Sequence, residues 1–298
     1  MRAHSRISIL FLVLVAIALT AGSPGGVQRI VAIGDVHGDL GATRSALRLA
    51  GAIDEHDQWI GGDLIVVQTG DQLDRGDEEQ AILDLFEVLR IQAQAAGGAF
   101  IPMLGNHEIM NAKADLRYVT EGGFADFADA VEYDPDDPAL AEFEPDQRGR
   151  MAALLPGAPY ALRFSERVLI LQLGDNVFVH GGVLPEHIDY GIDRINAETQ
   201  AWLRGETERP EIIKGKNSPQ WTRLYSDEPG AEACETLGKV LAALGAKRIM
   251  VGHTIAEGGI ASHCDGRIWC IDVGMSAHYG GPVEVLEIRG DDVRVLRP

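Results

Sequence analysis

Apolar positions follow two rhythms along this chain. Val27 to Ile33, Leu64 to Thr69 and Phe100 to Leu104 are near-continuous apolar runs bounded by glycines, the pattern of buried strands. Between them, Leu40 to Ala50 and about Glu78 to Ala95 place apolar residues at helical spacing. Strands alternating with helices predict βαβ units and a parallel sheet.

The second half reads differently. Val168 to Leu173 and Val177 to Val179 predict a hairpin, Ile249 to Val251 a further strand, and the tail through Trp269, Val283 and Val293 is β-rich. Together these predict an α/β fold with two sheets as a β-sandwich core and helices outside. Residues 112–165 break the rhythm: helix-prone at first, they then run through Tyr133-Asp134-Pro135-Asp136-Asp137-Pro138 and the acidic stretch Glu142 to Asp146. Two readings stand for this insertion, a cap beside the functional site or a solvated acidic loop. Its prolines interrupt any EF-hand spacing.

The first residues read as a targeting segment. Arg2 and Arg6 precede an apolar run from Ile7 to Leu19, and Ala21-Gly22-Ser23 follows. The run is shorter than the roughly 20 residues of a bilayer span, so a cleaved secretory signal over 1–23 is expected. That makes 24–298 the mature domain, exported to a periplasm or secreted, without stable membrane insertion after cleavage.

Charge and cysteine content narrow the picture. The net charge of the chain is −19, and loss of Arg2 and Arg6 with the signal leaves −21. So acidic a body argues against a nucleic-acid partner. Three cysteines, Cys234, Cys264 and Cys270, define no disulfide framework. Cys264 and Cys270 flank an Asp265-Gly266 turn, and across a two-residue hairpin loop they point to opposite faces. Each cysteine is expected to be free and half-buried.

Chemistry gathers in five glycine-flanked motifs. They are Gly34-Asp35-Val36-His37-Gly38, Gly70-Asp71-Gln72-Leu73-Asp74-Arg75-Gly76, Gly105-Asn106-His107-Glu108, His180-Gly181-Gly182 and Gly252-His253-Thr254. Each follows an apolar β-type run. One alone is ordinary turn punctuation. Five in series collect carboxylates, imidazoles and an amide oxygen, donors that suit Mn²⁺, Fe or Zn²⁺ and point to a two-metal hydrolytic site.

This motif set resembles the phosphoprotein-phosphatase branch of the calcineurin-like metallophosphoesterases. Asp115-Leu116-Arg117-Tyr118-Val119, Pro219-Gln220-Trp221-Thr222-Arg223 and Ile271-Asp272-Val273-Gly274-Met275-Ser276 with Tyr279-Gly280-Gly281 are similar to the Shewanella-like protein phosphatases within it. The resemblance runs from about Ile30 to about Val285. It implies a four-layer metallophosphoesterase β-sandwich flanked by helices, with the metal site at strand C-terminal ends. It also implies two divalent ions, manganese first, with iron or zinc as alternatives.

The same resemblance assigns roles. Asp35 and His37 bind the first ion, Asp71 bridges, and Asn106, His180 and His253 complete the second. Arg75 and Arg223 clamp phosphate, while His107, oriented by Asp74, protonates the leaving group. The implied activity is metal-dependent phosphomonoester hydrolysis by a metal-bridging hydroxide, on a phosphorylated protein or a small phosphoester. The alternatives are a dinucleoside-polyphosphate or other nucleotide hydrolase and a non-catalytic binding protein. Glu108 reads as a structural carboxylate, and Tyr279 stays outside the catalytic set. His4, His56, His187, His263 and His278 read as surface or packed residues.

Overall fold

The computed structural model describes residues 28–298; the expected signal segment lies outside the described residues. Two five-stranded sheets form the centre. The first contains β1 (Arg29–Ile33), β2 (Ile65–Gln68), β3 (Ala99–Pro102), β9 (Val285–Arg289) and β10 (Asp292–Leu296), in the order β10-β9-β1-β2-β3. The second contains β4 (Ile170–Leu173), β5 (Asn176–Val179), β6 (Arg248–Val251), β7 (Ala261–His263) and β8 (Ile268–Cys270), in the order β4-β5-β6-β8-β7.

In each sheet three neighbouring strands run parallel, β1-β2-β3 in the first and β5-β6-β8 in the second. Val31 pairs with Val66 and Val66 with Phe100; Val177 pairs with Ile249, and Ile249 with Ile268. The apolar runs explain this, because parallel strands are covered on both faces. Both triplets therefore point their carboxyl ends at one edge of the sandwich.

Helices cover the outside. They are α1 (Leu40–Leu49), α2 (Glu79–Ala95), α3 (Asn106–Ala112), α4 (Glu121–Asp126), α5 (Arg148–Leu154), α6 (Pro159–Phe164), α7 (Pro185–Tyr190), α8 (Ile192–Leu203) and α9 (Ala231–Leu244). Leu47 of α1 and Phe86 of α2 share a core with Ile33, Phe178, Met250 and Ile271 from both sheets. A second core joins Val177, Val179 and Ile249 to Leu203 and Leu237 on the far side. The result is a four-layer sandwich. No helix among the described residues is long and apolar enough to cross a membrane.

Residues 112–165 pack as part of the body. Phe127, Met151, Leu154 and Phe164 are fully buried in the second core, while the acidic stretch 134–137 stays exposed. The helices α5 to α9 are the main elements that hydrophobic periodicity left unread. In α5, α6 and α7, of seven, six and six residues, the pattern holds for too few turns to register, whereas α8 (12 residues) and α9 (14 residues) carry a readable apolar stripe and were missed.

One expectation is corrected. Cys234 on α9 and Cys264 after β7 form a disulfide across a separation of 30 residues, whereas Cys270 is free and buried. The hairpin of β7 and β8 was legible, and Cys264 does not join Cys270. The partner is a helix residue far along the chain, which spacing cannot reveal. Closing a loop of this length constrains the unfolded chain by about 3–4 kcal/mol. Cys234→Ser is therefore expected to lower the unfolding free energy by about that amount, read from the urea midpoint; an unchanged midpoint would contradict the stabilising role of the bridge.

Candidate metal and phosphate site

Six turns at the carboxyl edge bring the site together. Asp35 and His37 follow β1, Asp71 follows β2, and Asn106 opens α3 after β3. From the other sheet, His180 follows β5, His253 follows β6 and Asp272 follows β8. Ligand positions beyond the carboxyl ends of parallel strands are the general rule for open α/β sheets. All ten residues singled out from the sequence meet here, at the seam between the sheets.

The turns are tight enough to need unusual backbone. Of ten non-glycine residues with positive φ among the described residues, five belong to this set: His37 (42°), Asp71 (56°), Asp74 (67°), Arg75 (71°) and His253 (68°). Such conformations cost of order 1–3 kcal/mol each and cluster where geometry serves function. Two glycines show why the motifs carry them. A Cβ on Gly252 would stand 2.5 Å from Asp35 Oδ1, and one on Gly105 2.5 Å from the backbone nitrogen of Asp71.

Asp71 sits at the centre. Its Oδ1 accepts the His107 backbone N–H at 2.9 Å, and its Oδ2 faces His180 Nε2 at 3.1 Å and His37 Nε2 at 3.8 Å. Its loop is held by Glu108, whose carboxylate accepts four backbone N–H groups: Asp71 (2.9 Å), Gln72 (2.9 Å), Leu73 (3.2 Å) and Gly105 (2.7 Å). Glu108 thus lashes the turn after β2 to the turn after β3. This is the structural carboxylate role expected of it.

The donor set fits divalent cations. His180 Nδ1 lies 2.9 Å from the Thr69 carbonyl, which can only accept, so that nitrogen carries the proton. The Nε2 lone pair then faces two acceptors, Asn106 Oδ1 at 2.9 Å and Asp71 Oδ2. A cation at their meeting point satisfies all three atoms. His37 repeats the arrangement: Nδ1 is 3.0 Å from the Leu73 carbonyl, and Nε2 faces Asp35 and Asp71 at 3.9 and 3.8 Å. Those gaps are too long for hydrogen bonds yet suit two ligands sharing one ion. His253 Nε2 is buried without a partner, and its backbone N–H holds Asp35 at 3.2 Å.

Electrostatics agree. Burial, then Asp272 and Asp71 nearby, push the Asp35 carboxyl well above its ordinary range, and burial carries Asp272 up to about 6. Burial opposes charge on Asp71 too, but His180 and His107 in their protonated forms outweigh it and hold that carboxyl far down. Burial lowers His37 to about 4 and His253 to about 2, so both rings are neutral with lone pairs available. Three crowded carboxyls beside neutral imidazoles form a site short of positive charge.

His107 stands apart. It lies within ligand distance of His37 and Asp71, but its Nδ1 is engaged by Asp74 Oδ2 at 2.5 Å. Burial works against its charge, yet Asp71 and Asp74 carry the ring up to about 9. It is the one imidazole of the cluster built to hold a proton.

A cleft of about 270 Å³ opens over these groups. Arg75 and Arg223 flank it. The Arg75 guanidinium lies 4.0 Å over the Tyr118 ring, and its Nε has no partner. Arg223 spends Nη1 on the His253 carbonyl (2.9 Å) and Thr254 Oγ1 (2.7 Å). Tyr118, Trp221, Ile255 and Tyr279 complete the walls. The role of Asp272 was missed, although an aspartate after an apolar run is the same signal that marks Asp35 and Asp71. Tyr118 and Trp221 had no separate signal, since nothing local in their stretches points to a cleft.

Residues 28–257 match the calcineurin-like phosphoesterase family. The chain is 41% identical to Shewanella-like protein phosphatase 2 of Arabidopsis thaliana, covering 90% of this chain and 77% of that protein. It is 27% identical to Shewanella-like protein phosphatase 1 of Plasmodium berghei, covering 90% and 74%. Among solved structures, a cold-active protein tyrosine phosphatase superposes with a TM-score of 0.72 at 25% identity, covering 91% of this chain and 76% of that one. The chain belongs to the calcineurin-like phosphoesterase family and is a metal-dependent phosphoric monoester hydrolase.

Proposed function

We propose that this enzyme removes phosphate from phosphotyrosine side chains of proteins or peptides outside the cytoplasm. One observation carries the reading: a buried metal-type donor set around Asp71 opens onto a cleft with two guanidinium groups and aromatic walls. Asp35, His37 and Asp71 would hold one ion; Asp71, Asn106, His180 and His253 would hold the second. Manganese is the first choice, with iron or zinc next, because the set mixes carboxylate, amide and imidazole. When bound, two such ions supply Lewis-acid charge and acidified water.

The chain's own residues do the rest. Arg75 and Arg223 fork onto the phosphoryl oxygens and set its orientation. Glu108 and the His107 backbone N–H keep Asp71 turned to the seam. His107 delivers its proton to the leaving oxygen, which an alkoxide or phenoxide needs on departure. Asp74 holds the ring and its tautomer through Nδ1.

Substrate preference rests on the rim. Tyr118, Trp221 and Tyr279 line the cleft and suit contact with an aromatic ring, which a phosphoserine side chain lacks. The name of the similar cold-active tyrosine phosphatase supports the same choice. Export is supported by the basic and apolar start of the chain and by the Cys234–Cys264 bridge, which oxidising compartments favour. A net charge of −19 disfavours nucleic acid as a partner.

Phosphate release by residues 24–298 is expected to vanish on chelation and return with Mn²⁺. The restored rate on phosphotyrosine peptides should exceed that on phosphoserine peptides by at least about tenfold, the step that 1.4 kcal/mol of ring contact gives. Preference for dinucleoside polyphosphates would instead establish the nucleotide-hydrolase alternative.

The roles also separate by mutation. His107→Asn should keep its metal and lose about 10²–10⁴-fold in turnover, the usual worth of a general acid, while Asp71→Asn should fail to retain metal by elemental analysis. Full activity in His107→Asn would remove it from the acid role.

A further inference from the structure

Arg150 is fully buried, an unusual place for a guanidinium. It comes from α5, within the segment 112–165, and reaches under the site from the dry side. Its Nε donates to Asn111 Oδ1 at 2.7 Å, and Nη1 donates to Glu79 and to the Gly123 carbonyl at 3.0 Å. Nη2 donates to Asp74 Oδ1 and to Glu79 Oε1, both at 3.1 Å. Every nitrogen of the group is engaged. Asp74 and Glu79 are themselves fully buried.

The two oxygens of Asp74 are thereby divided. Oδ1 takes Asn111 Nδ2 at 3.0 Å and Arg150 Nη2; Oδ2 is left to His107 Nδ1 alone. Glu79 accepts the Asp74 backbone N–H as well, so one carboxylate anchors both the main chain of Asp74 and the guanidinium above it. Arg150, Glu79, Asp74 and the His107 ring thus form one continuous hydrogen-bonded cluster of ionisable groups. An apolar core would fill the same space without exposing four ionic groups to desolvation. A device that costs so much calls for a task beyond packing.

We propose that Arg150 is a positioning residue for proton delivery to the leaving group: it fixes Asp74 so that Oδ2 aims the His107 ring at the departing oxygen. The inference rests on the reading of His107 as leaving-group acid. In that step the P–O bond breaks with its electron pair on the ester oxygen, and the His107 Nε2 proton moves to that oxygen. The ring is left neutral, with Nδ1–H still donating to Asp74. A carboxylate free to turn would let the ring swing and carry Nε2 off that line.

The need for this proton grows with the basicity of the leaving oxygen. 2,4-Dinitrophenolate departs without one, whereas phenolate requires it. The test uses Mn²⁺-loaded residues 24–298 and compares Glu79→Gln with Glu79→Gln/Arg150→Met, so that loss of the guanidinium does not strand a second buried carboxylate. Going from the single to the double variant, kcat on phenyl phosphate should fall about 10- to 100-fold, part of the worth of a general acid. On 2,4-dinitrophenyl phosphate the fall should stay below about threefold, at unchanged metal content and KM.

Equal falls on both substrates, or no fall on phenyl phosphate, would overturn the proposal. Should the double variant not fold, Asn111→Leu removes the other bond to Asp74 Oδ1 and must give the same substrate-dependent loss, with equal losses overturning it. A wild-type protein that holds two Mn²⁺ yet hydrolyses neither ester would overturn the phosphatase reading, and this inference with it.

Discussion

Asp71 is the point on which the two halves of the molecule depend. It stands at the seam where parallel strands of both sheets end, touching His107 and facing His37 from one half and His180 from the other. The one ring beside it built to hold a proton is His107, whose Nε2 lies 3.7 Å from Asp71 Oδ2; its other near neighbours are further imidazoles and carboxyls. The fold therefore concentrates the carboxyls of Asp35, Asp71 and Asp272 at one edge with less positive charge than would hold them together. What opposes their separation is backbone: Glu108 takes four N–H groups from the turns after β2 and β3, and the His253 N–H holds Asp35 across the seam. Divalent ions complete this arrangement, and their arrival would join the sheets as well as arm the site.

The left-handed conformations belong to the same account. His37, Asp71, Asp74, Arg75 and His253 pay local strain to turn side chains toward one point within two or three residues of a strand end. Two apolar cores underneath supply the rigidity that keeps such turns from relaxing. Chemistry is thus carried on short loops with rigid strands behind them. The wet wall, with Arg75 lying on Tyr118, and the dry wall, with Arg150 under Asp74, both draw on the segment between α3 and β4.

Much of this was readable from residue order. Asp35, Asp71, Asn106, His180 and His253 each follow a strand-like run, and a glycine beside each allows the tight approach; that local grammar survives in one dimension. The sandwich was legible for the same reason, since strands buried on both faces read as unbroken apolar runs. Arg150 was not legible. Its partners Glu79 and Asp74 lie 71 and 76 residues away, and an arginine in a polar segment looks like solvated surface. The Cys234–Cys264 bridge was missed on the same principle, because pairing across 30 residues is decided by tertiary packing. Asp272 was the avoidable miss, as its stretch repeats the signal of Asp35.

The most direct test of the central claim is where metal binds. Crystals of residues 24–298 grown with Mn²⁺ and measured at the manganese absorption edge would show it by anomalous scattering. Two peaks about 3.5–4 Å apart are predicted, with Asp71 between them, Asp35 and His37 on one, and Asn106, His180 and His253 on the other. A single peak, or two that do not share Asp71, would contradict the account.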